Sequence, residues 1–129
     1  MSTPKTKTTA SSAPEAVGRV AKRGLAGRPL IADPMSSELM ALFKVLANEN
    51  RLQLLHALER SGELGVGELA EQAGMTVQAV SNQLQRLFDQ RVVTSRRDGN
   101  RVLYRVIDPC VTGLLELGIC LIEENRRRP

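Results

Sequence analysis

The stretch DPCVTGLLELGIC, residues 108–120, holds the only two cysteines of the chain, Cys110 and Cys120. Thiolates are soft ligands and redox-active groups. A pair of them can hold a thiophilic metal or metalloid ion, or close into a disulfide. A second set of residues with chemistry to offer lies upstream. Gln78, Ala79, Ser81, Asn82, Gln85 and Arg86 fall on one side of a helical repeat, and Arg96, Arg97 and Arg101 crowd around Asp98-Gly99-Asn100. Amides and hydroxyls both donate and accept. Gln and Asn can pair adenine, Arg can pair guanine, and Ala can meet a thymine methyl in a major groove. Thr76, at the start of that helix, can bond a phosphate, and clustered arginines can reach phosphates or a minor groove.

These groups need elements to position them. In PMSSELMALFKVLAN, Leu39, Leu42, Phe43 and Leu46 fall at i, i+3, i+4, i+7, which predicts an amphipathic helix capped by Ser36 or Ser37. NRLQLLHALERSG repeats the pattern with Leu52, Leu55 and Leu58 and stops at Gly62. GVGELAEQAG is a short helix closed by Gly74. Thr76 then opens TVQAVSNQLQRLFDQ, whose Val77, Val80, Leu84 and Leu87 form the face to be buried. Two short helices joined at Ala73-Gly74-Met75 make a helix-turn-helix. The period then changes to two, and VVTSRRDGNRVLYRV predicts a β-hairpin turning at Asp-Gly-Asn. A last helix runs from about Pro109 to Arg127, with Asp108 as its cap and Arg126, Arg127 and Arg128 at the negative end of its dipole. The expected fold class is mainly α with a small β-hairpin, a winged helix-turn-helix.

Composition agrees with this outline. A chain of 129 residues suits a single domain, here residues 34–129 behind a basic, flexible tail over residues 1–33. The only aromatics are Phe43, Phe88 and Tyr104, so the core must be aliphatic. The net charge of +4 resides in the tail, and the remainder balances twelve basic against twelve acidic residues. Within that neutral body, five arginines and one aspartate lie between Arg91 and Arg105, a local strip suited to phosphate. The tail reads either as an arm for DNA or a partner subunit, or as a solvated segment. Neither a membrane span nor a secretory signal is visible, so the expected location is the cytoplasm, where thiols stay reduced. No Ser/His/Asp set, glycine-rich phosphate loop or two-histidine metal motif points to an enzyme. The remaining rival is a winged helix used only for protein contacts. His56, the sole histidine, reads as a surface or interface residue.

LFKVLANENRLQLLHAL, ELGVGELAEQAGMTVQAVSNQLQRLFDQRVV and SRRDGNRVLYRVIDP, in this order, resemble the ArsR/SmtB family of bacterial winged-helix regulators. The likeness covers about residues 36–124. It implies a homodimer built on the first and last helices, sitting on a palindromic operator in double-stranded DNA and released by an inducer. It makes residues 76–86 the recognition helix and residues 96–101 the wing. Metal-sensing members often carry two cysteines in an ELCVCDL run. Gly65 and Gly67 stand at those positions here, and glycine has no ligand atom. Other members bind zinc on the last helix through Asp-x-His and His-x-x-Glu. The matching residues are Asp108-Pro109-Cys110 and Leu121-x-x-Glu124, so one histidine becomes cysteine and the other is lost.

Ten residues of helix separate Cys110 from Cys120 by about 15 Å, too far for the two thiols of one chain to meet. If two last helices cross antiparallel with their two-fold near residue 115, Cys110 of one chain faces Cys120 of the other, along the apolar stripe of Val111, Leu114, Leu115, Gly118 and Leu121. Three roles fit: a thiophilic metal or metalloid site completed by carboxylates such as Asp108 or Glu124, a redox or sulfur-bridged switch, or small apolar residues packed in an interface. Either sensing role would act by changing the angle between the two recognition helices.

Overall fold

The computed structural model describes residues 24–129. Of the basic tail expected over residues 1–33, everything up to residue 23 lies outside the described residues. Residues 24–34 form turns, bends and irregular chain, with no helix or strand. The described chain contains five helices and three short strands: α1 (Met35–Leu46), α2 (Glu49–Ser61), β1 (Leu64–Gly65), α3 (Val66–Ala73), α4 (Val77–Asp89), β2 (Val93–Asp98), β3 (Arg101–Val106) and α5 (Pro109–Arg127). Two compact units divide it, residues 31–107 and a second unit that contains α5. No described helix is long and apolar enough to cross a membrane.

Local signals set most boundaries. Asn48 caps α2, its side chain accepting from the Arg51 N–H at 3.0 Å. Gly62 ends α2 at φ 88°, where its own N–H bonds the Leu58 carbonyl. Gly74 ends α3 in the left-handed region at φ 65°, the conformation the tight turn requires. The start of α1 departs from expectation. Pro34 occupies the cap position without a side-chain bond. Ser36 and Ser37 lie inside the first turn instead, and both hydroxyls donate to Asp33 Oδ1. Those two bonds, Ser37 first, hold the Asp33 carboxyl below its ordinary value.

Leu54, Leu55, Leu58, Leu69, Val80, Leu84, Leu87, Val92 and Val93 are the large side chains fully buried in the core of residues 31–107. Every one is aliphatic, as a chain with three aromatics demands. Three positions on the apolar stripes expected of α1, α2 and α4 are not covered. Val77 is 56% exposed, Phe43 49% and Leu52 40%. In α2 the buried face is Leu54, Leu55, Ala57 and Leu58, rotated away from Leu52. Val77 is the first residue of α4 and extends past the part of the helix that the core covers.

The hairpin forms as the alternation predicts. Asp98 pairs with Arg101 across Gly99-Asn100, and Gly99 takes φ 67°. The sheet also has a third strand. Leu64 pairs with Tyr104 and Gly65 with Leu103, giving the antiparallel order β1-β3-β2. Two residues are too few to show a period of two, which is why the sequence pattern alone gave a two-stranded ribbon.

Candidate nucleic-acid interface

The α3–turn–α4 unit is fastened from both ends. The Met75 N–H bonds the Ala70 carbonyl at 3.0 Å, closing the turn. Thr76 Oγ1 accepts from the Ala79 N–H at 3.1 Å, which caps α4 and leaves the hydroxyl proton free for an acceptor such as a phosphate oxygen. Val80, Leu84 and Leu87 have no exposed surface and anchor one side of α4. Gln78, Ser81, Asn82, Gln85 and Arg86 are exposed on the other, with Ala79 half-buried among them.

These exposed groups are not equivalent. Gln78 Nε2 donates to Asn82 Oδ1 at 3.1 Å, so two amides one turn apart are held as a pair. Asn82 keeps its amide N–H groups and Gln78 its carbonyl oxygen, a donor and an acceptor for a base edge. Gln85 Nε2 instead donates to Asp89 Oδ1 at 2.8 Å. A carboxylate at this end of the face repels phosphate, so the first two turns of α4, at Thr76, Gln78, Ala79, Ser81 and Asn82, are best suited to meet bases.

Arg86 lies apart from the Gln78–Asn82 pair. It borders a groove of about 350 Å³ together with Ala41, Lys44, Val45, Arg51, Asp89 and Gln90. Arg51, which no sequence motif singled out, organises this corner. Its Nη1 donates to Gln83 Oε1 at 2.7 Å and its Nε to the Val45 carbonyl, joining α1, α2 and α4. Burial, and then the charge of Arg86, lower the Arg51 guanidinium from its ordinary value. Replacing Arg51 with methionine should keep the packing of the stem and lose both bonds. A fall in melting temperature larger than that of Gln83→Ala would be expected from a thermal scan, because the Val45 carbonyl bond is lost as well.

The three wing arginines separate into two groups. Residues directly opposed on a ribbon share a face. Arg96 opposes Leu103 and Arg101 opposes Asp98, which puts both arginines on one face, while Arg97 opposes Val102 on the other. Arg96 is held by Glu63 through two bonds, Nε to Oε2 at 2.7 Å and Nη2 to Oε1 at 2.8 Å. Arg101 pairs with Glu68, whose Oε1 also accepts from the Gly65 N–H at 2.8 Å. Arg97 is exposed and forms no ion pair among the described residues.

Glu63 is held below its ordinary carboxyl value, foremost by the hydrogen bond from Arg96, and Arg96 is raised by the same bond. A carboxyl depressed in the folded state stabilises the fold above its unfolded value and loses that contribution as pH falls through the folded one. The melting temperature of wild type minus that of Glu63→Gln should therefore be constant above pH 4.5, the ordinary value, and shrink on further acidification. A difference that grows toward low pH would contradict the pairing.

On α5, Asp108 Oδ1 accepts from the Cys110 N–H at 2.7 Å, as expected of a cap. Cys110 and Cys120 are exposed, and neither is in a disulfide. Glu124 is ion-paired with Arg127 at 2.5 Å. No cluster of three His, Cys, Asp or Glu side chains suited to a metal occurs among the described residues. One chain therefore does not bring Asp108, Cys110, Cys120 and Glu124 together.

Residues 48–95, from the α2 cap through the first half of β2, match the model of the bacterial regulatory protein arsR family. The cadmium resistance transcriptional regulatory protein CadC of Listeria innocua is 38% identical over 82 residues, 64% of this chain and 69% of that protein. The crystal structure of the AntR antimony-specific transcriptional repressor aligns with a TM-score of 0.71 and 54% identity, covering 84% of this chain and 98% of its own. A homodimeric winged helix-turn-helix DNA-binding domain from Mycobacterium bovis aligns with a TM-score of 0.66 and 30% identity, over 75% of this chain and 92% of its own. With a helix-turn-helix, a β-ribbon wing and this degree of likeness, the chain belongs to the bacterial arsR family, whose members are DNA-binding transcriptional regulators rather than enzymes.

Proposed function

We propose that this regulator is a cytoplasmic homodimeric repressor that binds a palindromic operator and leaves it when a thiophilic metal or metalloid ion is captured by Cys110 and Cys120 across the dimer. The observation that carries the reading is the arrangement of α5. Two exposed cysteines, neither in a disulfide, lie ten residues apart on one continuous helix. At about 15 Å they cannot share an ion within a chain, and a second copy of the helix supplies what is missing. The same helix exposes Leu117, Ile119, Leu121 and Ile122, and α1 exposes Met35, Met40 and Phe43. Apolar surface of this extent on two helices calls for a partner. The M. bovis relative is homodimeric, and the other two are named for cadmium resistance and for antimony specificity.

In this reading, residues 34–129 carry both DNA binding and dimerisation. Thr76, Gln78, Ala79, Ser81, Asn82, Gln85 and Arg86 present the recognition face, and the wing formed by β2 and β3 lies against the DNA backbone. Cys110 and Cys120 supply thiolate sulfur to the ion. Asp108 is engaged as a helix cap and Glu124 by Arg127, so the thiolates dominate and soft ions are favoured over hard ones.

The test is a titration of reduced protein with antimony(III) and then cadmium, following the ultraviolet absorption of metal–thiolate bonds. Anisotropy of a labelled operator, enriched from a random duplex pool, is read in parallel. The absorption should saturate at one ion per thiol pair and disappear in Cys110→Ser, with the operator released at the same stoichiometry. Absorption that survives in both Cys110→Ser and Cys120→Ser, or none in wild type, would remove the metal site.

A further inference from the structure

The two faces of the wing differ in charge balance. One face carries Arg96 opposite Leu103, Asp98 opposite Arg101, and Thr94 opposite Arg105, with Gly65 of β1 beside Leu103. Glu63 and Glu68 flank β1 and take the guanidiniums of Arg96 and Arg101. Glu63 also feels Arg105, and Arg96 feels Asp98. Three arginines on this face thus meet three carboxylates. The other face carries Arg97 opposite Val102 and Ser95 opposite Tyr104, with no acid among them.

This arrangement determines which guanidinium can meet a phosphate at least cost. Turning Arg96 toward DNA breaks two charge-assisted hydrogen bonds and leaves the Glu63 carboxylate bare beside a polyanion. Turning Arg101 breaks its bond to Glu68, the carboxylate that also holds the start of α3 through the Gly65 N–H. Arg97 has no such bond to break. Resting on the reading of the chain as a DNA-binding regulator, we infer that Arg97 is the wing's phosphate contact. Arg96 and Arg101 are positioning residues that pin the ribbon to β1 and to the N-terminus of α3.

The test uses the full chain and a fluorescein-labelled duplex of mixed sequence, titrated by anisotropy at a series of potassium chloride concentrations. Each phosphate contact contributes about 0.9 to the slope of log affinity against log salt, so the two wings of a dimer give about 1.8. Arg97→Ala should flatten the slope by that amount. The neutral double variants Glu63→Gln/Arg96→Gln and Glu68→Gln/Arg101→Gln should keep the wild-type slope. Arg96→Glu alone should weaken binding, and adding Glu63→Arg should restore it by rebuilding the ion pair. This swap also serves as the folded control should a neutral pair prove unstable in a circular dichroism melt. An unchanged slope in Arg97→Ala, or a Glu63→Gln/Arg96→Gln slope as flat as that expected of Arg97→Ala, would overturn the assignment. Wild-type binding that ignores salt would instead overturn the DNA-binding reading beneath it.

Discussion

Asn82→Ala should lower affinity for the enriched operator by roughly 30-fold to 10⁴-fold while leaving affinity for unrelated duplex nearly unchanged. The range follows from about 1–3 kcal/mol for one amide–adenine pair, counted twice because a palindrome presents the same contact in both half-sites. Asn82 is exposed in the second turn of α4, and its Oδ1 is the acceptor that fixes the amide of Gln78. Its removal therefore takes one reading group away and leaves a second to rotate freely. Electrostatic attraction to the backbone, which dominates binding to arbitrary sequence, loses nothing because no charge changes. Competition between operator and mixed-sequence duplex against one labelled probe separates the two affinities. Equal losses on both would show that Asn82 supports the helix and does not read bases.

Leu84→Ala should destabilise the protein by about 2–5 kcal/mol, a large share of the roughly 5–15 kcal/mol that typical domains possess. Leu84 has no exposed surface, and it sits between Val80 and Leu87 on the buried side of the helix whose other side carries the amides. Truncation removes its transfer free energy and leaves a cavity under the middle of α4. Val77→Ala is the matched control. The apolar stripe of α4 includes both residues, yet Val77 is 56% exposed, and its truncation should cost no more than about 0.5 kcal/mol. Urea unfolding at one fixed protein concentration gives both numbers, since a dimer's stability depends on concentration. Comparable costs at the two positions would mean that Val77 is covered in solution.

Much of the fold was legible because local chemistry decides it. Gly62, Gly74, Thr76, Asp108 and the Asp98-Gly99-Asn100 turn end or begin elements where their backbone preferences require. What could not be read is non-local. Strand β1 exists only because Tyr104 and Leu103 pair with it from 40 and 38 residues away. The carboxylates of Glu63 and Glu68 meet Arg96 and Arg101 across 33 residues each, and no spacing rule links them. Periodicity gives the buried side of a helix but not how far along it the cover extends, hence the exposure of Val77, Leu52 and Phe43. Ser36 and Ser37 were plausible caps by type. Pro34 takes the cap position, so both serines fall inside the first turn of α1, where their hydroxyls donate to Asp33.

In the proposed reading, the bond from Gln85 to Asp89 confines base contacts to the start of α4 and so limits how much information one protomer can extract from DNA. If only the first two turns of α4 read bases, three or four side chains report on roughly four base pairs, a word that recurs every few hundred base pairs of random sequence. A genome offers on the order of 10⁶–10⁹ competing sites, so a lone protomer would be lost among decoys. Two protomers in fixed register read the word twice, and the expected recurrence rises to roughly tens of thousands of base pairs. Address selection in this protein is therefore a property of the pair. Any event that alters the register between the two halves erases the address, without changing a single atom of either reading face.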